Sequence, residues 1–357
     1  MSLLPDAESF KRLADGTDRT ARAKLLRALL APLGAVWGGV MSARNLAYGQ
    51  GILPSHRSPV PVVCIGNLTL GGTGKTPLVA WVARLLAAGG RRPAIVSRGY
   101  GAARGTRSDE AAELALLLPG VPHVADRDRV AAARTAAASG ADVVILDDGF
   151  QHRRLRRDLD IVAIDATDPF GCGHVFPRGL LREPLAGLAR ADAAILTRAS
   201  GLAPARRAAI RAGLAAACGN RMPRVWAVAS HAAVALRDAA GNRDDLASLA
   251  GRPVAAFAGI GNPAAFRDTL HSLGAEVVGF RPFADHHAYT PRDLEDLVVW
   301  GTTLGATALV TTLKDMVKLP AADPRRLPLL ALEIAIVIEE GEEDLRRLLH
   351  PIVGGTR

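Results

Sequence analysis

Gly71-Gly72-Thr73-Gly74-Lys75-Thr76 lies directly between an apolar run, Val60 to Ile65, and a helical pattern from about Lys75 to Ala88. Strand, glycine-rich turn and helix in that order form a phosphate cradle. Small residues let backbone N–H groups at the helix N-terminus wrap a β-phosphate, and a lysine there bridges β- and γ-phosphates. Thr69 and Leu70 lead into the turn, and the Thr76 hydroxyl is placed to ligate Mg²⁺. The pattern G-x-x-x-x-G-K-[ST] meets Thr69 where glycine is usual. A chance glycine-rich turn is the alternative, and the agreement of strand, loop and helix weighs against it. Further on, Val143-Val144-Ile145-Leu146 ends in Asp147-Asp148, the form of a Walker B strand whose acid reaches the metal. Gly149-Phe150-Gln151-His152 follows and sets an amide and an imidazole, Gln151 and His152, beside that metal region.

Guanine recognition in P-loop proteins uses an N/T-K-x-D strand end. The nearest candidate, Thr197-Arg198-Ala199-Ser200, lacks the aspartate, so ATP is the expected nucleotide. Arg153, Arg154, Arg156 and Arg157 are expected to lie near the carboxylates, where they would suit a phosphate-bearing acceptor; a solvated basic face is the alternative.

Apolar runs recur at Ala94 to Ser97, Val121 to Val124, Val143 to Leu146, Ile161 to Ile164, Ala193 to Leu196 and Val225 to Ala229, with helical patterns between several of them. That alternation predicts an α/β fold with a mostly parallel sheet of the P-loop NTPase type. After a polar junction at Arg237 to Asp245, four more runs between Val254 and Ile334 predict a second, smaller α/β domain. The expected divisions are 1–47, an N-terminal helix region; 48–236, the P-loop domain; and 246–357, a C-terminal domain closing over a site at the strands' carboxyl ends.

Lys and Arg total 44 against 35 Asp and Glu, so the net charge of +9 favours anionic partners. The three cysteines, Cys64, Cys172 and Cys218, are scattered and form no C-x-x-C pair, which disfavours a disulfide framework or zinc site. The polar start of the chain lacks a secretory leader, so a reducing cytoplasm is expected. Ala28 to Ala43 carries no charge, but a helix of that length spans about 24 Å against roughly 30 Å of hydrocarbon, and Pro32 interrupts it. Leu26, Leu29, Leu30, Leu33, Trp37, Val40 and Met41 share one helical face flanked by Lys24, Arg27 and Arg44, which predicts a helix lying in a membrane interface or packed on the protein's own core.

Taken in order along the chain, these motifs resemble the tetraacyldisaccharide 4′-kinase family. The signposts are Arg44-Asn45-Leu46 with Tyr48, Gly66-Asn67-Leu68-Thr69 running into the P-loop, Ser97-Arg98-Gly99-Tyr100-Gly101, and Asp147 through His152. Later come Leu181-Arg182-Glu183-Pro184-Leu185, Phe257 through Pro263, Phe283 with Asp285-His286, and Thr311-Thr312-Leu313-Lys314-Asp315. The resemblance implies ATP and Mg²⁺, and phosphorylation of the 4′-hydroxyl of the tetraacyldisaccharide 1-phosphate precursor of lipid A. It also implies work at the cytoplasmic face of the bacterial inner membrane, with the lipid A precursor glycolipid as partner, no nucleic acid and no obligate protein partner. A family aspartate in a G-D-E-P segment maps to Asp109, with Glu110 beside it a metal candidate, although Ser108 and Ala111 replace the flanking glycine and proline. Its partner histidine maps to His286. The pair would orient the acceptor hydroxyl and take its proton. Read by position alone, Asp109 is a helix N-terminal acid and His286 a loop histidine. Arg98, Tyr100, Gln151, His152 and Arg182 are implied to line the site. The alternatives are another P-loop NTPase or small-molecule kinase, which needs no bilayer-facing helix, and a nucleotide-dependent membrane switch, which needs no proton acceptor at Asp109.

Overall fold

The computed structural model describes residues 7–99, 108–285, 287–320 and 327–354. Tyr100 and His286 therefore lie outside the described residues. In chain order the elements are α1 (Ala7–Asp15), α2 (Ala21–Gly49), β1 (Val62–Asn67), α3 (Lys75–Ala88), β2 (Pro93–Ser97), α4 (Asp109–Leu117), β3 (His123–Ala125), α5 (Arg129–Ala138), β4 (Val143–Asp147), β5 (Leu159–Asp165), β6 (Ala193–Thr197) and α6 (Pro204–Ala217). Then follow β7 (Val225–Asp238), β8 (Arg243–Asp244), β9 (Pro253–Ala258), α7 (Pro263–Ser272), β10 (Glu276–Pro282), α8 (Pro291–Thr303), β11 (Ala308–Thr312), α9 (Leu313–Met316), β12 (Leu329–Glu340) and α10 (Glu342–Gly354).

Packing divides the chain into two compact units: Met1–Arg98 with Val121–Ser230 and Val337–Arg357, and Gly99–Gly120 with His231–Ile336. This differs from the division expected from sequence. Helix α4, which carries Asp109, belongs to the second unit, and α10 belongs to the first. The polar stretch after Arg237 is a hairpin, with Leu236 paired to Asp244 and Arg237 to Arg243 antiparallel.

In the first unit the strand order is β7-β6-β5-β1-β4-β2-β3, with every neighbouring pair parallel. Every residue of β1 and β4 is buried, as a strand covered on both faces requires. From β1 the chain lays β5, β6 and β7 on one side and β4, β2 and β3 on the other, so β1 marks the switch point where open parallel sheets bind ligands at their carboxyl edge. In the second unit β10-β9-β11-β12 are parallel around a core that includes Val254, Ala256, Leu270, Val310 and Leu332.

Helix α2 runs unbroken through Pro32, contrary to the expected interruption. Interior proline costs a helix about 3 kcal/mol. Its buried residues are small or flexible: Ala23, Gly34, Gly38 and Met41. An added Cβ on Gly34 would meet the Val175 carbonyl oxygen at 2.8 Å, so only glycine lets α2 sit this close to the segment around Val175. The large apolar residues Leu25, Leu29, Leu33, Val36, Trp37 and Val40 are exposed. Met41, expected on that apolar face, is buried instead. By length and composition α2 could cross a membrane.

Candidate active site

The chain leaves β1 through Leu68 into a loop whose backbone only glycine adopts readily, with Gly71 at φ 93° and Gly74 at φ 74°. Gly74 caps α3, whose first turn contains Lys75 and Thr76. The loop is tied down at both ends. The Asn67 side-chain amide donates to the Thr69 carbonyl at 2.8 Å, and the Thr197 hydroxyl donates to the Thr73 carbonyl at 2.8 Å. Its middle pairs with a distant segment: Leu70 N–H donates to the Leu180 carbonyl and Arg182 N–H to the Leu68 carbonyl, both at 2.7 Å. Residue 69 is thus fixed by pairing with Leu181, and that support explains how threonine serves where glycine is usual. Among the described residues the buried Thr73 hydroxyl, in the same loop, has no hydrogen-bond partner.

Strand β4, beside β1, delivers Asp147 and Asp148 to the same edge. Asp147 is buried. Asp148 sits at φ 51°, in the left-handed region that non-glycine residues rarely adopt. That turn aims its carboxylate at two cations: Lys75 Nζ at 3.2 Å, and Arg182 Nη1, which donates to both oxygens at 2.9 and 2.8 Å. Burial alone would raise the Asp148 pKa, but Lys75 and then Arg182 hold it down to about 2. Arg129, buried, donates to the Asp148 carbonyl. The structure therefore brings together Lys75, Asp148 and Arg182 beside the cradle.

Other expected site residues do different work. The Gln151 amide donates to the Asn67 carbonyl at 2.9 Å and to Glu183 Oε1 at 3.0 Å, so it braces the end of β1. Glu183 is fully buried, paired twice with Arg190 at 3.0 Å and reached by the Asn45 amide. The His152 ring has a buried Nε2 without a partner among the described residues, and burial with Arg129, Arg157 and Arg44 nearby pushes its pKa down to about 4. Arg98 follows β2, where its charge bears on Arg129.

The arginine cluster does not gather at the carboxylates as expected. Arg153 lies over Tyr48 and donates to the Asn45 carbonyl, Arg154 faces Asp128, and Arg157 pairs with Asp160 at 3.1 Å. The chain here turns back toward the start of β5, carrying Arg156 and Arg157 away from the phosphate edge.

Arg198, met in the sequence only within the incomplete guanine motif, was not expected at the site. It follows β6 at φ 55°, pairs with Asp165 at 2.5 Å, and its Nη2 lies 3.9 Å from where a Cβ on Gly72 would stand. A cation at the carboxyl end of a parallel strand was the available signal.

The second unit holds its own cluster. Ser108 caps α4 by accepting from Ala111 N–H at 3.3 Å, and Asp109 and Glu110 stand in the first turn, where the helix dipole favours carboxylates. Helix α4 packs on α9, where Lys314 pairs with Asp285 at 3.1 Å. Asp315 is fully buried, accepting from Gly259 N–H at 2.9 Å and from the Thr312 hydroxyl at 2.7 Å. Burial pushes the Glu113 pKa up to about 7, opposed by Lys314 and aided by Glu110, Asp315 and Asp109. Asp109 thus shares a unit with Asp285, the immediate neighbour of His286.

A glycine-rich turn joining the switch-point strand to a helix, with a lysine facing an acid on the next strand, defines a P-loop nucleotide-dependent phosphotransferase. The family model for tetraacyldisaccharide-1-P 4′-kinase (LpxK) matches residues 26–353. The chain is 45% identical over 320 residues to tetraacyldisaccharide 4′-kinase of Anaeromyxobacter dehalogenans strain 2CP-1, covering 82% of this chain and 83% of that one. It is 40% identical over 343 residues to the Geobacter sulfurreducens enzyme, covering 90% and 92%. Crystalline LpxK from Aquifex aeolicus, in complex with ATP, superposes with a TM-score of 0.73 at 30% identity over 92% of this chain and 99% of that one. The chain belongs to the tetraacyldisaccharide 4′-kinase family, whose activity is ATP-dependent 4′-phosphorylation in lipid A biosynthesis.

Proposed function

We propose that the loop from Thr69 to Gly74, with Lys75 and Thr76, holds the β- and γ-phosphates of ATP, and that Asp109 with His286 takes the proton from the acceptor 4′-hydroxyl. The observation that carries the first part is the Lys75, Asp148 and Arg182 cluster beside a cradle whose Thr73 hydroxyl has no partner among the described residues. Lys75 exchanges Asp148 for the γ-phosphate, and Arg182 keeps Asp148 ionised and oriented. The Thr76 hydroxyl with Asp147 and Asp148 forms a donor set of hard oxygens, which fits Mg²⁺. When bound, the ion neutralises charge developing on the transferred phosphoryl group. Asp109 stands in the first turn of α4, where a carboxylate suits the helix N-terminus and can accept a proton.

The second part of the reading places the enzyme at the cytoplasmic face of the inner membrane, where its glycolipid acceptor keeps its acyl chains in the bilayer. The exposed leucines of α2 support this: a row of large apolar side chains left uncovered suits lipid rather than water.

The deciding experiment incubates purified enzyme with labelled ATP and the tetraacyldisaccharide 1-phosphate in detergent micelles. A product with a new 4′-phosphate is expected, and label transfer to a soluble acceptor alone overturns the reading. Lys75→Ala should lower kcat by at least about 100-fold while the melting temperature stays near wild type. Retention of more than about a tenth of the turnover would remove Lys75 from the phosphate site. Replacing Leu29, Leu33, Val36 and Val40 with serine should release the protein from vesicles with ATP binding intact. Undiminished co-sedimentation would show that α2 is not the anchor.

A further inference from the structure

At the amino ends of β1 and β5, on the edge opposite the phosphate cradle, lies a pocket of about 260 Å³ lined by Arg57, Ser58, Val60, Pro61, Arg156, Arg157 and Asp158. Both strands run parallel, so β1's six residues separate this edge from the cradle by about 20 Å. The volume is several times the ~30 Å³ share of one water molecule.

The walls are built from backbone. His56 N–H donates to the Arg154 carbonyl at 2.7 Å, Arg156 N–H returns to the His56 carbonyl at 2.9 Å, and the Ser55 hydroxyl donates to the Arg153 carbonyl at 2.9 Å. Arg57 and Arg156 are thereby carried on neighbouring strand-like segments. Three arginines and one acid are among the lining residues, and the acid is committed: Asp158 accepts from Val62 N–H at 2.8 Å. Arg157 is buried and tied to Asp160 and to the Phe150, His152 and Leu155 carbonyls, so it supplies fixed positive charge. Arg57 and Arg156 are exposed, and their guanidinium groups make no hydrogen bond or ion pair among the described residues. Two free planar forks in a concave, positively charged and backbone-braced site match the oxygens of a phosphate group.

We infer that the pocket of Arg57, Arg156 and Arg157 binds a phosphate group, supplied by an anionic phospholipid headgroup or by free phosphate. Arg57 and Arg156 grip the oxygens and Arg157 sets the field.

The test compares the full-length enzyme with the double variant Arg57→Gln, Arg156→Gln and with a charge-matched control, Arg134→Gln, Arg206→Gln, at exposed positions of the same unit. In one arm, partition onto phosphatidylglycerol vesicles should fall about tenfold in the pocket variant and less than about twofold in the control, with phosphatidylcholine vesicles unaffected. In the other arm, a non-hydrolysable ATP analogue with Mg²⁺ saturates the cradle, inorganic phosphate is added, and its ³¹P line broadening is read. Loss of broadening in the pocket variant alone supports the site and, if vesicle partition is unchanged, assigns it to free phosphate. Loss of vesicle partition alone supports the site and assigns it to the headgroup. If neither readout separates the pocket variant from the control, the inference is overturned.

Discussion

Asp148 and His152 stand four residues apart, and the fold drives their charges in opposite directions from what burial alone would do to an acid and from what water allows a base. Asp148 stays ionised because Lys75 and Arg182 converge on it, so its contribution to stability is complete above its ordinary pKa of 3.8 and is lost as pH falls through about 2. His152 stays neutral because it is partly buried among arginines, with a folded pKa of about 4 against 6.5. The unfolded chain therefore binds this proton first as pH falls below 6.5, and stability drains away on the way down to about 4. His152→Gln, which cannot titrate, should flatten the decline in melting temperature between about pH 7 and pH 5. Parallel wild-type and variant curves over that range would mean the ring titrates normally. Turnover should respond less than stability, because the ring's neighbours are structural arginines.

Among the elements, α2 is unusual in burying its small residues and exposing its large ones. The cause is close approach: Gly34 and Gly38 lie against Val175, Arg178 and Pro184, and the Trp37 indole donates to the Arg182 carbonyl at 3.2 Å. The Gly34 and Gly38 pair is thus used for packing within the chain. The segment it packs on pairs in turn with Leu68 and Leu70 and supplies Arg182 to Asp148, so one short stretch connects the apolar helix to the phosphate cradle. Gly34→Ala should destabilise, within the roughly 1–3 kcal/mol typical of overpacking, because its Cβ meets a backbone oxygen that cannot move aside. Gly39→Ala, with open space around its Cβ, should stabilise by about 0.5–1 kcal/mol. Chemical denaturation of the two variants checks this, and equal effects would show that α2 is not seated against that segment. Deleting α2 is a poorer test of membrane binding than substituting its outer face, since Asn45 and Arg44 brace Glu183 and Gln151.

For the molecule as a whole, Asp109 joins the unit that contains residues 285 and 287, so the two halves of the proposed proton-accepting pair belong to one packed body rather than to two domains. In the same unit Lys314 pairs with Asp285, and Lys314 and Asp109 act with opposite sign on Glu113. If Asp109 and His286 share one task, Asp109→Asn combined with His286→Ala should be scarcely slower than the worse single variant, because residues acting as a unit are strongly non-additive. Each single variant should lower kcat more than it raises KM. Losses that add in kcal/mol would dissolve the pair.

The chain's order of residues was enough to determine the cradle, because a phosphate loop is local: strand, glycines, lysine and helix are contiguous, and α3 spans the residues the pattern predicts. It was enough, too, for the strand alternation and the family, whose motifs run in order along most of the chain. What required tertiary structure were the relations between distant residues. Only folding shows that Arg182 meets Asp148, that Glu183 and Gln151 serve as braces, that Arg156 and Arg157 turn to the far edge of the sheet, and that α4 leaves the unit on either side of it in sequence. The physical reason is that backbone conformation is set largely by neighbours a few residues away, whereas ion pairs and close packing depend on which strands and loops come together, and no local pattern records that choice.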